Sequence, residues 1–82
     1  MPQVCRIFGY LIFFWSREND EPIHVHVCKG KPYKDATKIW IEEMPRLEHN
    51  KSGIPAHDLN RILQWLAINR DYVIEKWNEH FD

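Results

Sequence analysis

Hydrophobic and polar residues alternate with a period of two in the first half of the chain, which is the pattern of β-strands. Residues 4–8 and 10–16 are rich in β-branched and aromatic side chains, and Gly9 between them predicts an antiparallel hairpin. The second run is apolar on both faces, so we expect it to be a central strand covered on each side. Three further segments have the composition of short strands: residues 23–28, residues 37–41 and, ambiguously, an edge strand within residues 44–49.

The hydrophobic period changes from two to 3.6 in the second half of the chain. Leu59, Ile62, Leu63 and Leu66 form the stripe of an amphipathic helix, which Val73, Ile74, Trp77 and Phe81 continue. The polar residues 69–71 between the two stripes indicate a kink, a break into two helices with Asp71 as the N-cap of the second, or simply polar surface. The pattern predicts an α+β fold, in which a small antiparallel sheet of three to five strands packs against a C-terminal helix or helix pair. We expect a single domain over residues 1–82, strand-rich in 1–50 and helical in 55–81.

Composition narrows the class of protein without assigning a function. The 82 residues carry 11 Lys and Arg against 12 Asp and Glu, a balance that excludes a wholly basic nucleic-acid coat and a charge-driven disordered tail. Two cysteines are too few for a disulfide scaffold and predict free thiols in a reducing compartment. The most apolar run, residues 10–15, is far shorter than the roughly 20 residues that span a bilayer. We therefore expect a cytoplasmic protein without a membrane partner.

A row of potential metal ligands lies on the third predicted strand. Alternation along the strand places His24, His26 and Cys28 on one face of the sheet, with side chains about 7 Å apart. Imidazole and thiolate are good zinc ligands, but a tetrahedral site needs at least one more ligand, and no other residue has a spacing that supplies it. We therefore expect no metal and no cofactor, and these three residues are the ligands if a metal does bind.

The same histidines support a second hypothesis, a metal-independent ribonuclease. His24 and His26 are candidates for general acid and base, because histidine titrates near neutral pH. The segment that follows is basic around one aromatic residue, a composition suited to phosphate contact and base stacking. Its candidate RNA-binding residues are Lys29, Lys31, Tyr33, Lys34 and Lys38. The alternative is that the histidines are structural and that the lysines form a solvated hairpin tip that protects a sheet edge.

An aromatic and apolar stripe also lies off the main face of the helical region. Trp65, Ile68 and Tyr72 either pack against a folded-back C-terminal helix or form an interface with another protein molecule. The partner is then a cognate small protein or a second copy of the chain. On the same helical segment, the spacing of Asp58 and Arg61 predicts a surface ion pair.

Taken together, the motifs resemble the bacterial family known as domain of unknown function 4160. The likeness covers nearly the whole chain, and its most specific parts are two short motifs. The first is Pro-x-His-x-His-Val, formed by Pro22, His24, His26 and Val27, and the second is Trp-Asn-Glu-x-Phe at residues 77–81. Lys38 and Trp40 match the family's Lys-x-Trp strand.

The resemblance implies a role in a two-protein module. Members look like small cytoplasmic proteins that are often encoded beside a second small protein, domain of unknown function 2442, and this pairing suggests a toxin–antitoxin module. The chain would then be one half of the pair, with a toxin acting on RNA as one option. Two departures are notable: Cys28 stands where a basic or polar residue is more usual, and Pro55 replaces the expected capping hydroxyl at the helix entrance.

Overall fold

A five-stranded antiparallel sheet forms the first half of the protein. The computed structural model describes residues 3–16 and 20–81. The strands follow one another across the sheet in chain order, which confirms the sheet of the predicted α+β fold. They are β1 (Gln3–Ile7), β2 (Tyr10–Phe13), β3 (His24–Cys28), β4 (Thr37–Trp40) and β5 (Arg46–His49). β2 lies between β1 and β3 and is buried along its whole length, as predicted.

Two helices cover one face of the sheet. They are α1 (Ala56–Ile68) and α2 (Arg70–Phe81), and within the described residues no helix is both long and apolar enough to cross a membrane. Pro55 lies at the N-cap of α1 and provides no side-chain hydrogen bond to the first turn. The main core lies between the helices and alternate residues of the strands. Its buried members include Val4, Tyr10, Ile12, Phe14, Val25, Val27, Ile39, Ile62, Leu66, Val73 and Trp77.

The other face of the sheet is covered by loops instead of helices. Leu11, Phe13 and Cys28 point to this face and form a second small core with Ala36 and Trp15. Ala36 belongs to the β3–β4 connection and Trp15 to the β2–β3 connection, so one residue of each connection packs on the strands that it joins. This cover explains why β2 is apolar on both sides in so short a chain.

The polar interruption in the helical region is a break between two helices. Asn69 ends α1, and its side-chain Nδ2 donates a hydrogen bond to the Trp65 carbonyl at 3.0 Å. Its own carbonyl accepts from the backbone N–H of Val73 at 3.1 Å, in the first turn of α2. Of the alternatives left open by the sequence, the break into two helices is therefore the one observed. Asp71 lies inside the first turn of α2 and is not its cap.

A buried polar cluster fixes the connection from β5 to α1. The Asn50 Oδ1 accepts from the Thr37 hydroxyl at 2.7 Å and from the Ile54 backbone N–H at 3.0 Å, while its Nδ2 donates to the Ile54 carbonyl. Because the single Thr37 hydroxyl proton is directed to Asn50, the neighbouring Ser52 hydroxyl donates to the Thr37 oxygen. These bonds tie the loop that precedes α1 to the first residue of β4.

A tyrosine in the core ties α1 to the sheet. The Tyr10 hydroxyl donates to a carboxylate oxygen of Asp58 at 2.6 Å, although Asp58 has the spacing of an ion-pair partner for Arg61. Burial of the phenol, the hydrogen bond and the Asp58 charge raise the pKa of Tyr10 to about 12. The neutral phenol is therefore the form that the folded state stabilises.

Tyr10→Phe is expected to lower the free energy of unfolding by about 1–2 kcal/mol at pH 8, because a hydrogen bond to a charged acceptor is lost. A raised pKa contributes stability that is complete below pH 10, the ordinary tyrosine value, and that is lost as the pH rises towards about 12. The difference between wild type and Tyr10→Phe should therefore shrink between pH 8 and pH 11 in urea unfolding. The exposed Tyr33→Phe is the control, and a difference independent of pH contradicts the account.

Candidate functional site

His24 is buried at the end of β3, where the sheet meets α2. Its side chain has no exposed surface, and its Nδ1 donates to the Pro22 carbonyl at 2.9 Å. Ring centroids of Trp40 on β4 and Trp77 on α2 lie 5.5 and 5.3 Å away, both in edge-on geometry. The imidazole is thus one member of an aromatic cluster that joins β3, β4 and α2.

His26 is the next residue of the row and is covered in the same way. Only 5% of its surface is exposed, and its ring stacks on Phe13 with centroids 5.5 Å apart. Trp15 from the β2–β3 connection lies 6.1 Å away, and His24 lies 5.2 Å away. A general acid or base must come within hydrogen-bond reach of its substrate. The two histidines instead pack against four other aromatic rings, which favours a structural role for the pair; these rings belong to Phe13, Trp15, Trp40 and Trp77.

The strand register brings further charged residues beside His26. Lys38 is directly opposite His26 on β4, and His49 is opposite Lys38 on β5. The Lys38 ammonium lies 3.0 Å from a carboxylate oxygen of Glu21 and 4.5 Å from the Trp40 ring centroid, so its charge is already compensated within the chain. Burial of the His49 ring, together with the charges of Lys51 and Lys38, lowers the pKa of His49.

The remaining lysines of the basic segment lie at the other end of β3. Lys29 and His24 are five residues apart along extended chain, which is about 16 Å. The Lys29 ammonium lies 5.3 Å from the ring centroid of Tyr10, in a shallow cleft of about 180 Å³. Lys31, Tyr33 and Lys34 are exposed in the same loop. The structure therefore brings Lys38 beside His26, whereas Lys29, Lys31 and Lys34 lie beyond the Cys28 end of β3, away from His24.

Cys28, the third member of the row, is enclosed by the β3–β4 loop. Its thiol donates to the Lys31 carbonyl at 3.5 Å, and burial raises its pKa. Cys28 and the half-buried Cys5 are both free thiols. In residues 3–16 and 20–81, no three His, Cys, Asp or Glu side chains are arranged so that they could hold a metal ion.

The stripe on the helical region is only partly absorbed by the fold. Trp65 packs against the main core, and Tyr72 meets it edge-on with centroids 6.4 Å apart. The Tyr72 hydroxyl donates to the Val4 carbonyl at 3.3 Å, which places this stripe beside β1. Ile68, between them, is 83% exposed. The stripe therefore combines two anchored rings with one apolar side chain in solvent.

The β1–β2 turn, which the sequence marks only as a hairpin connection, extends this surface. Phe8 is 43% exposed, and the Arg61 guanidinium carbon lies 3.9 Å above its ring centroid. The available signal was the Phe8-Gly9 pair, because asparagine or aspartate usually precedes glycine in a two-residue hairpin turn. Phe8, Trp65, Ile68 and Tyr72, with the outer edge of β1, are called the β1–α1 surface below.

His24→Ala is expected to lower the free energy of unfolding by about 3 kcal/mol, because it leaves a cavity between Trp40 and Trp77. Urea denaturation at neutral pH measures this loss. His57→Ala is the matched control, because His57 is exposed on α1 and its removal should change stability by less than about 0.5 kcal/mol. Equal stability of the two variants would show that the aromatic cluster does not depend on His24.

The Pro-x-His-x-His-Val strand lies within the part of the chain that matches a known family. The model of the family described as domain of unknown function (DUF4160) matches residues 9–78, which include all of β2 to β5, all of α1 and most of α2. No curated protein and no solved structure matches the chain. Because the match extends over most of the sequence, the chain belongs to the domain of unknown function 4160 family.

Proposed function

We propose that this protein is an interaction module that binds a cognate small protein, as one half of a toxin–antitoxin-type pair. The observation that carries the proposal is the exposure of Ile68 between Trp65 and Tyr72 on the β1–α1 surface. Large apolar side chains grouped beside aromatic rings on a surface are typical of protein interfaces. The two rings are held in place by the core and by Val4, so the surface is largely formed before a partner binds.

The open edge of the sheet supports the same proposal. Within residues 3–16 and 20–81, β1 pairs only with β2, so the main-chain groups on its outer side are directed away from the sheet. The other edge strand, β5, carries Arg46 and Glu48 within four residues, and charged side chains on an edge strand discourage strand addition. β1 carries the single charge of Arg6. A partner strand therefore finds the less protected edge next to the exposed apolar side chain.

The environment of the histidines favours this proposal over a ribonuclease. His24 and His26 are enclosed by aromatic rings, and the lysines 29, 31 and 34 lie at the opposite end of β3 from His24. Cleavage by such a pair would require both imidazoles to reach the ribose and the leaving oxygen of an RNA substrate. Binding through the β1–α1 surface requires no rearrangement of the core.

Ile68→Asp is expected to weaken binding to the partner by at least tenfold, because it places a carboxylate in the apolar centre of the interface. The measurement is isothermal titration calorimetry with a domain of unknown function 2442 protein from the same genome. Met44→Asp is the matched control, since Met44 is 71% exposed and lies in the turn between β4 and β5, at the opposite edge of the sheet from β1. It should bind within about twofold of wild type.

Both variants replace an exposed apolar residue and should keep the wild-type circular dichroism spectrum and melting temperature within a few degrees. Wild-type affinity in Ile68→Asp, or an equal loss in Met44→Asp, contradicts the assignment of the β1–α1 surface. Absence of any binding by the wild-type chain contradicts the proposed pair itself.

A further inference from the structure

Phe8 occupies a backbone conformation that its side chain does not favour. The β1–β2 hairpin closes through Phe8 and Gly9, which have φ values of +52° and +83° and lie between the paired residues Ile7 and Tyr10. A two-residue turn with positive φ at both positions favours asparagine or aspartate followed by glycine. A bulky side chain in this region is strained. Since the Phe8 ring is also 43% exposed, neither turn geometry nor core packing accounts for a phenylalanine here.

Arg61 lies over this ring and has no acidic partner in the described part of the chain. Its guanidinium carbon is 3.9 Å from the Phe8 ring centroid. Asp58, one helical turn before it, accepts instead from the Tyr10 hydroxyl. Among residues 3–16 and 20–81, no carboxylate oxygen lies within 4 Å of the Arg61 guanidinium. A planar set of N–H donors is therefore held over an aromatic ring, where it can bind a carboxylate in bidentate geometry.

We propose that Phe8 and Arg61 form a recognition pair for an acidic, apolar segment of a partner protein. The Arg61 guanidinium binds a carboxylate of that segment, while Phe8 and Ile68 contact its apolar side chains. The segment lies extended along β1, where the outer main-chain groups of the strand pair with it. This inference deepens the proposed function and rests on it, because it uses the same β1–α1 surface. On this account, the strained backbone conformation of Phe8 is kept because it presents the phenylalanine ring to the partner.

Charge distinguishes this occupant from a second copy of the chain. Arg6 lies on β1, where its guanidinium donates to the Gly30 carbonyl at 3.2 Å, and Arg61 lies on the helical side of the same edge. In the described residues Arg6 also has no carboxylate within 4 Å. A second copy that paired edge to edge would offer Arg61 no carboxylate from its own β1, whose one charged residue is Arg6, whereas an acidic segment neutralises Arg61.

The apolar content of the surface favours a protein over RNA. Ile68 and the outer edge of β1 offer an apolar contact and strand pairing, which suit a peptide chain and not a phosphate backbone. A single-stranded RNA that stacks on Phe8 and places a phosphate on Arg61 is the competing outcome, and the experiment includes it.

The test compares Phe8→Asn, Arg61→Glu and the control Lys51→Glu, which reverses an exposed charge in the β5–α1 loop. Each is titrated with the partner protein used for Ile68→Asp. Phe8→Asn is expected to melt at the wild-type temperature or a few degrees higher, because asparagine tolerates positive φ, and yet to bind at least tenfold more weakly. Arg61→Glu should also lose at least tenfold in affinity, and Lys51→Glu should remain within about twofold.

A peptide probe tests the ligand chemistry without the partner protein. A seven-residue peptide in which Glu alternates with Val should bind the wild-type chain at millimolar concentration or below by fluorescence anisotropy. Its counterpart with Lys in place of Glu should not bind. The acidic peptide should also lose binding to Arg61→Glu. Failure of the acidic peptide to bind, or equal binding of both peptides, overturns the inference.

The outcomes separate the inference from the proposed function. If Ile68→Asp loses the partner while Phe8→Asn and Arg61→Glu bind as wild type, the recognition pair is wrong and the interaction module stands. If Phe8→Asn melts well below wild type, Phe8 is a structural residue and the inference is overturned. A single-stranded uridine 12-mer that binds through Arg61, when the acidic peptide does not bind, would assign Phe8 and Arg61 to RNA. That result also overturns the inference.

Discussion

The contact of His24 with Trp40 and Trp77 joins three elements of the fold, β3, β4 and α2. The imidazole belongs to β3, and the two indoles belong to β4 and α2, so one buried ring links the middle of the sheet to the last helix. Val73 and Trp77 are the buried residues of α2. The contact of Trp77 with His24 is therefore one of the main contacts that anchor α2 to the rest of the protein. A chain of 82 residues builds only small cores, so a single buried residue contributes a larger share of the stability than it would in a larger domain.

Burial on both faces of the sheet determines what is left for function. Helices cover one face, and the loops that contain Trp15 and Ala36 cover the other, so the interior strands expose little. The histidine row lies under this cover, while Phe8, Ile68 and the outer edge of β1 do not. Among the described residues, the β1 edge of the sheet and the adjoining side of α1 are therefore free to meet another molecule. This division is the physical basis for proposing a binding module.

Hydrophobic periodicity was sufficient to predict the elements of the fold but not the environment of the site. The spacing of His24, His26 and Cys28 correctly places them in one row, yet period-two alternation does not reveal that loops cover that face. The lysines are neighbours in sequence, but Lys38 lies on β4, opposite His26, and its ammonium pairs with Glu21. Lys29, Lys31 and Lys34 lie in the β3–β4 loop. The Asp58 carboxylate bonds to Tyr10 across 48 residues instead of pairing with Arg61, and a non-local contact of this kind leaves no periodic signal.

The central claim is that a partner meets the β1–α1 surface and leaves the histidine row undisturbed. The most direct measurement is a ¹H–¹⁵N correlation spectrum of the labelled chain, recorded with and without the unlabelled partner protein. The account predicts shift changes concentrated in residues 3–8 and 61–72, with residues 24–38 largely unchanged. Changes concentrated in residues 24–38, with β1 and the end of α1 unaffected, would contradict it.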